Sequence, residues 1–244
     1  MEDLRPDETI ENLQLNGLKL IQKKNAFRFG MDSVLLADFS MIRENDTVAD
    51  LGTGNGILIL LLRGRSKGIR YIAVDIQEEA AELAQRNMKL NGLESNVTVI
   101  RADAKDASDR IDPCSVDAVV CNPPYGQPFS SLASPKASIA LARSQSAETL
   151  DHLLTGAFRI LKGRGRLFMV YPSSRMLDLM NALQAHHLEP KHFRLVYPRA
   201  DKPANLVLIE AVKDAKPMLH PMPPLIIYEA DGSLTNNLKS VYHM

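Results

Sequence analysis

The stretch DLGTGNGIL, residues 50–58, decides how the rest of this sequence is interpreted. It joins one apolar run, TVADL, to another, ILILLL, and carries three glycines in between, Gly52, Gly54 and Gly56. Glycines in such a turn let the backbone approach a ligand closely, and the following helix offers free N–H groups at its N-terminus. The pattern therefore predicts a strand, a nucleotide-binding turn and a helix.

The glycine spacing and the next acids limit the choice of nucleotide. The dinucleotide fingerprint GxGxxG has its third glycine three residues after the second, whereas Gly56 follows Gly54 by two. This weakens a pyrophosphate site without excluding it. Asp75, in AVDI, fits the ribose of NAD, the ribose of another adenosine ligand, or the N-cap of the next helix. Asp103, in IRADAKD, either accepts from an exocyclic amine or begins a turn.

Strand-like and helix-like runs alternate along the chain, which is typical of a largely parallel sheet covered on both faces. We predict strands at residues 47–53, 69–76, 97–103, 116–122, 165–172, 192–198 and 204–213. We predict helices at residues 56–64, 77–91, 146–162 and 174–187. Only RADKP separates the last two strands, which predicts a hairpin and hence an antiparallel edge strand.

The length of 244 residues suits one α/β domain with a sizeable core. We expect a single domain over 1–244, with a helical lead-in at 1–46, the sheet core at 47–213 and a C-terminal arm at 214–244. The arm contains one short strand, LIIYE. The segment 126–145 has prolines, serines and no clear period, which predicts a loop.

Composition excludes several classes of protein. No apolar run approaches the roughly 20 residues needed to cross a bilayer, and the acidic N-terminus is unlike a signal peptide. We therefore expect a cytoplasmic protein with no membrane partner. Cys114 and Cys121 are seven residues apart, which fits neither a disulfide framework nor a zinc site. We expect both to be reduced, with Cys121 in the core.

The charge of the chain is balanced overall but uneven along its length. The net charge is zero, so composition alone does not indicate a nucleic-acid partner. Five basic residues nevertheless cluster around the predicted hairpin: Lys191, His192, Arg194, Arg199 and Lys202. Such residues either contact RNA phosphates or form a solvated turn.

The motif NPPY, residues 122–125, follows the apolar run VDAVVC. Prolines end a strand because they lack an N–H group, but this leaves Asn122 and Tyr125 unexplained. The motif stands at a fourth strand end, after the acids Asp50, Asp75 and Asp103 at the first three. Ligands of open α/β sheets bind at this carboxyl edge, so the four positions predict one site.

Together these motifs resemble the class I S-adenosylmethionine-dependent methyltransferases that act on amino or amide nitrogens, over residues 47–172. The segments FRFGMDSVLLADF (27–39) and HLEPKHFRLVYPRADKPANLVLIEAVKDAKP (187–217) resemble the bacterial tRNA adenine-N6 methyltransferases, which modify adenine 37 of a valine tRNA. The resemblance implies a Rossmann-like fold, with a seven-stranded, mostly parallel sheet and an antiparallel edge hairpin.

The resemblance also implies S-adenosylmethionine as the cofactor and assigns the residues that hold it. Asp75 would bind the ribose, and Asp103 with the backbone of Ala104 would face the adenine. Asp32, in the segment from Arg28 to Asp32, would help to close over the cofactor. The other implied cofactor residues lie in the glycine turn: Asp50, Gly52, Gly54 and Gly56.

For the substrate, the resemblance implies that the Asn122 side-chain oxygen and the Pro123 carbonyl accept hydrogen bonds from an adenine amine. Pro124 would stiffen the turn and Tyr125 would stack on the base. No metal is required, because the leaving group is a neutral thioether. Relatives often have an aromatic residue after the tyrosine, whereas this chain has Gly126, so Phe129 is a second candidate for stacking.

The predicted activity is therefore N6-methylation of an adenine in RNA, with adenine 37 of a tRNA as the specific expectation. The alternatives are N5-methylation of a glutamine in a protein such as a release factor, N-methylation of rRNA, and an inactive module that binds S-adenosylmethionine or RNA. Lys191, Arg199 and Lys202 are the expected RNA contacts. The sequence does not predict an oligomeric state.

Overall fold

The computed structural model describes residues 4–24, 30–65, 70–123 and 135–241, and the side chains of the last range from residue 147 onward. The strands within these ranges are β1 (Glu8–Asn12), β2 (Lys19–Lys23), β3 (Thr47–Leu51), β4 (Arg70–Asp75), β5 (Val97–Arg101), β6 (Val116–Cys121), β7 (Leu161–Pro172), β8 (Leu188–Arg199), β9 (Leu206–Lys213), β10 (His220–Pro221) and β11 (Leu225–Tyr228). The α-helices are α1 (Met31–Phe39), α2 (Ile57–Arg65), α3 (Glu78–Leu90), α4 (Pro135–Ile160), α5 (Met176–Ala185) and α6 (Asn236–Val241).

The main sheet is mixed and confirms the predicted α/β class. Its strand order is β10-β8-β9-β7-β6-β3-β4-β5, and β11 also pairs with β8. The predicted hairpin is β8 and β9, and β9 runs antiparallel to both of its neighbours, β8 and β7. The antiparallel strand therefore lies inside the sheet and not at its edge. The two short strands of the C-terminal arm lie parallel to β8 and extend the seven predicted strands to nine.

The sheet separates two apolar cores, because successive side chains of a strand point to opposite faces. Val48 and Phe168 pack on the face covered by α1, α2 and α3. Their neighbours Ala49 and Met169 pack on the face covered by α4 and α5. Cys121 belongs to this second core and Cys114 is exposed, and both are free thiols as expected. Among the described residues, no helix combines the length and the apolar character that crossing a membrane requires.

The N-terminal segment corrects the expected helical lead-in, because β1 and β2 form an antiparallel hairpin before α1. Asn87 in α3 and Asn91, the C-cap residue of this helix, hold the outer edge of β2. Asn87 accepts from the Ile21 N–H at 2.6 Å and donates to the Ile21 carbonyl at 2.9 Å. Asn91, one turn later, makes the same pair of bonds with Lys19 at 2.8 and 2.7 Å. Side-chain amides thus take the place of a third strand.

The segment expected to be a loop at 126–145 is also partly corrected. Helix α4 begins at Pro135, eleven residues before the predicted start at 146. Its later part packs against the short 3₁₀ helix Ala104–Asp109 that follows β5. A Cβ added at Gly156 would lie 1.9 Å from the Ala104 carbonyl oxygen, so only glycine permits this approach. The helix is thereby held close to the end of β5.

Candidate active site

Four parallel strands bring the predicted motifs to one edge of the sheet. β6, β3, β4 and β5 are consecutive neighbours, and each pair is parallel. Their carboxyl ends therefore point the same way. The glycine turn follows β3, Asp75 ends β4, Asp103 follows β5 and Asn122 follows β6. This is the arrangement that the spacing of the motifs predicted.

The glycine turn adopts a backbone that depends on its three glycines. The φ angles of Gly52, Gly54 and Gly56 are 79°, 56° and 82°, in the left-handed region that favours glycine. The N–H groups of Gly52 and Thr53 donate to the Val74 carbonyl at 2.8 and 3.0 Å, which ties the turn to β4. A Cβ added at Gly54 would meet no atom within 4 Å, so the space above the turn is open.

Asp75 braces the turn through both oxygens of its carboxylate. Oδ2 accepts from the Gly54 N–H at 2.8 Å, and Oδ1 accepts from the Gln77 N–H at 2.9 Å. The residue is 8% exposed. Gln77 is the N-cap residue of α3, so Asp75 lies just before the helix and is not its N-cap. Each oxygen has a further lone pair, which leaves acceptor capacity for a ribose hydroxyl.

Asp50 is fully buried beneath the turn. Its Oδ2 accepts from the Thr53 hydroxyl at 2.7 Å, while Oδ1 has no hydrogen-bond partner among the described residues. Burial raises the pKa of Asp50 to about 7; the charge of Asp75 adds to this effect and the Thr53 hydrogen bond opposes it. The carboxyl therefore titrates near neutral pH and holds the turn from below.

Asp103 is shared between backbone and side-chain donors. Its Oδ1 accepts from the Lys105 N–H at 3.2 Å, which makes it the N-cap of the 3₁₀ helix. Oδ2 lies 3.1 Å from Nδ1 of His152 on α4 and 3.7 Å from the Lys105 ammonium. Asp103 therefore begins the 3₁₀ turn, and its role toward a ligand stays a prediction. Ala104 follows at once, and its carbonyl is the group that Gly156 approaches.

Asn122 and Pro123 follow β6, and the prolyl residue is buried while the asparagine is half-buried. The Asn122 Nδ2 group donates to the Ser33 hydroxyl oxygen at 3.1 Å. Ser33 is buried in the first turn of α1, so this bond joins α1 to the carboxyl edge of the sheet. Asp32 stands in the same turn, and burial raises the pKa of its carboxyl. Pro124, Tyr125, Phe129 and Arg28 lie outside the described residues.

Three contacts at this edge come from residues that the sequence reasoning missed. Ser33 contacts Asn122, His152 contacts Asp103, and Asn87 donates to the Asn55 carbonyl of the glycine turn at 2.9 Å. Asn87 gave a usable signal, because a buried asparagine inside a helix is unfavourable unless it has partners. Ser33 and His152 gave none, since their partners are distant in sequence.

The five basic residues of the expected cluster are spread along β8 and the turn that follows it. Lys191 and Arg199 lie eight residues apart in β8, about 26 Å along the strand. The Lys191 ammonium donates to the Lys216 carbonyl and, at 3.5 Å, to that of Met218, so it holds the C-terminal arm. His192 contacts Glu210 at 2.7 Å. The Lys191 ammonium thus contacts the C-terminal arm, and its role as an RNA contact stays a prediction.

Arg199 and Lys202 lie instead at the carboxyl end of β8. This strand is parallel to β7 and β6, because β9 is antiparallel to both β7 and β8. From the strand register, Arg199 lies roughly 20 Å from Asn122 on the same side of the sheet. The Arg199 guanidinium lies 3.2 Å from Asp201, which offsets part of its charge.

Comparisons with known proteins find related sequences over most of the chain. Residues 29–189 match the family model of the methyltransferase small domain. The tRNA1(Val) (adenine(37)-N6)-methyltransferase of Erwinia tasmaniensis is 33% identical over 189 residues, which are 75% of this chain and 74% of that protein. The protein of the same name from Parabacteroides distasonis is 30% identical over 196 residues, or 80% and 81% of the two chains.

A solved structure supports the fold independently. The crystal structure of a predicted O-methyltransferase from Agrobacterium tumefaciens superposes with a TM-score of 0.71 at 21% identity. The match covers 87% of this chain and 96% of that chain. At this level of identity the likeness concerns the arrangement of the sheet and its helices.

Proposed function

This chain belongs to the methyltransferase small domain family, and from that premise we propose that it methylates N6 of an adenine in RNA. The proposed donor is S-adenosylmethionine and the proposed target is adenine 37 of a tRNA. The main support within the molecule is the position of Asn122 and Pro123 beside the glycine turn on the same sheet edge. A tRNA substrate goes with the expected cytoplasmic location.

The residues at the cofactor end fit S-adenosylmethionine. The open space above Gly54 admits the methionine portion, Asp75 retains acceptor capacity for the ribose, and Asp103 has the same capacity for the adenine amine. Asp50 supports the turn from below, and Asp32 lies in the first turn of α1. When bound, the cofactor supplies an electrophilic methyl group on its sulfonium sulfur. Loss of this methyl group leaves a neutral thioether.

Asn122 and Pro123 orient the nucleophile. An adenine amine is a weak nucleophile because its lone pair is delocalised into the ring. If the Asn122 side-chain oxygen and the Pro123 carbonyl accept its two N–H groups, the lone pair is directed away from them. Holding the nitrogen in this orientation supplies much of the rate enhancement. The two oxygens also stabilise the positive charge that develops on the nitrogen.

The target base must leave its stack to reach these acceptors, as with other enzymes that act on bases. Tyr125 and Phe129 are proposed to stack on it. Arg199 and Lys202 are proposed to contact phosphates further along the RNA, since they lie on the same side of the sheet as Asn122. A distance of roughly 20 Å is a few nucleotides of an RNA loop.

The experiment that tests the proposal is incubation with methyl-labelled S-adenosylmethionine and separate pools of unmodified tRNA, rRNA and protein. We expect N6-methyladenosine in tRNA, and mapping then identifies the nucleotide. Asn122→Ala should abolish transfer with cofactor binding retained, and Asn96→Ala, before β5 at the opposite edge of the sheet, is the matched control. Label in protein alone would move the target to an amide nitrogen and refute the RNA proposal.

A further inference from the structure

The Asn122 side chain is an amide, and its two ends have opposite hydrogen-bonding character. The nitrogen end donates and the oxygen end accepts. Methyl transfer to an amine needs the oxygen end to face the substrate, because the amine presents N–H donors. If the amide rotated by half a turn about its Cβ–Cγ bond, its NH₂ group would face the N–H groups of the substrate amine. No hydrogen bond would then form between them. The orientation of this amide therefore decides whether Asn122 can accept from the substrate.

Ser33 provides a contact to the nitrogen end. Its hydroxyl oxygen lies 3.1 Å from Asn122 Nδ2, and Ser33 is only 3% exposed. The serine stands in α1, whose residues Val34, Leu35 and Leu36 are buried in the first core. Phe39, at the end of the helix, packs edge-on against Phe168 of β7 with ring centroids 6.2 Å apart. The hydroxyl is thus fixed relative to the sheet.

We infer that Ser33 is a positioning residue for Asn122, which it holds with the amide nitrogen turned toward α1 and the oxygen end toward the substrate amine. This inference rests on the proposed function and adds a residue to it. Asp32, the neighbour of Ser33, lies in the segment expected to close over the cofactor. The first turn of α1 therefore contacts the catalytic asparagine and belongs to the cofactor side at the same time.

The kinetic test compares Ser33→Ala, Ser33→Cys and Ser33→Thr. Alanine removes the acceptor, cysteine keeps nearly the same volume with a weak acceptor, and threonine restores a hydroxyl. We expect kcat to fall about tenfold to a hundredfold in the first two variants and to recover with threonine, since small misplacements of reacting groups cost this much. The KM for RNA and the affinity for S-adenosylhomocysteine should stay within about twofold.

The matched control is Ser40→Ala. Ser40 is buried at the C-terminal end of the same helix, where its hydroxyl donates to the Leu36 carbonyl at 2.7 Å. Loss of this bond affects the helix but not Asn122, so kcat should not change. Equal losses of kcat in the Ser33 and Ser40 variants, or parallel losses of kcat and cofactor affinity at Ser33, would mean that Ser33 only stabilises α1 and would overturn the inference.

A second measurement does not depend on turnover. In an NMR spectrum, the side-chain NH₂ group of Asn122 is identified by its disappearance in Asn122→Asp, and its hydrogen exchange is then followed. Ser33→Ala should speed this exchange at least about tenfold. Unchanged exchange would refute the contact even if RNA is methylated. Faster exchange in a protein that labels no RNA would support the contact while the proposed substrate fails.

Discussion

On the side of β3, β4 and β5, the groups expected to hold the cofactor are buried and already bonded to the protein. Asp50 and Asp75 are 0% and 8% exposed, and each accepts a hydrogen bond from the glycine turn. On the side of β8 and β9, Lys202 is exposed and Arg199 keeps 43% of its side chain exposed. The side chains of the proposed cofactor region are buried, whereas those of the proposed RNA region face solvent.

This difference fits what each region is proposed to bind. A small cofactor needs acceptors at fixed positions, and such positions are obtained from carboxylates fixed by buried hydrogen bonds. A phosphate backbone is bound by charge over a wide surface, for which exposed and mobile side chains suffice. Substitutions on the first side should therefore change affinity and stability together, whereas substitutions on the second should change RNA affinity alone.

The largest effect is expected for Asp75→Ala. This change removes the acceptor for two backbone N–H groups and the proposed ribose contact, and each lost bond to a charged group costs about 1.5 to 3 kcal/mol. Calorimetry should show binding of S-adenosylhomocysteine weakened about a hundredfold or more. Asp112→Ala, at an exposed carboxylate away from the turn, is the control. Equal affinity in both variants would remove Asp75 from the site.

Asp50→Asn tests the buried acid under the turn through pH. Because the pKa of Asp50 is raised from its usual 3.8 to about 7 in the folded protein, the folded state retains a proton that the unfolded state has released between these values. Its stabilising contribution is complete below pH 3.8 and is lost as the pH rises toward 7. In Asp50→Asn, the free energy of unfolding should therefore fall by about 2 to 4 kcal/mol less over this pH range.

Urea unfolding at pH 5 and at pH 8 measures that decline in the two proteins. The difference between the two proteins isolates Asp50, because every other ionisable group is common to both. If the free energy of unfolding changes equally with pH in both proteins, the pKa of Asp50 is not raised. A donor such as water would then bond its Oδ1 atom.

Asn87→Ala and Asn91→Ala separate stability from cofactor binding. Both asparagines hold β2, but only Asn87 also donates to the Asn55 carbonyl of the glycine turn. Each variant should lose about 1 to 3 kcal/mol of unfolding free energy. Asn87→Ala alone should also weaken S-adenosylhomocysteine binding, about fivefold to tenfold. Equal cofactor affinity in the two variants would show that the bond to the turn is dispensable.

The smallest effect is expected on the solvent-facing side. The double charge reversal Arg199→Glu with Lys202→Glu should weaken tRNA binding about tenfold at low salt and less at high salt, because the contacts are electrostatic. Lys191→Glu is the control, since the Lys191 ammonium is engaged by the C-terminal arm. Filter binding over a salt series measures both. A larger loss from Lys191→Glu would reverse the assignment of the RNA surface.

The cofactor side was more accessible to sequence reasoning than the RNA side. The glycine turn, Asp75 and Asp103 can be recognised in the sequence because each lies at the end of a strand. The family membership predicted from them is confirmed. The RNA side was less accessible because nearness in sequence does not imply nearness in space within a strand. Lys191 and Arg199 are close in number, yet an extended strand separates them by about 26 Å.

Other errors have similar physical origins. The hairpin of β1 and β2 was missed because its strands carry many polar residues, and its apolar anchor, Leu20 and Ile21, is short. The early start of α4 was missed because its first residues show no regular apolar spacing. The position of β9 was not predicted, because a hairpin in sequence does not state which of its two strands will lie outermost.

Asn87 and Asn91 also bear on self-association of the chain. An exposed strand edge is a template on which another chain can add a strand. The outward N–H and C=O groups of Lys19 and Ile21 would form such a template, but Asn91 and Asn87 occupy them from within the same chain. Two side chains thus occupy the groups to which a strand of another copy would bind, and this edge is protected without a third strand.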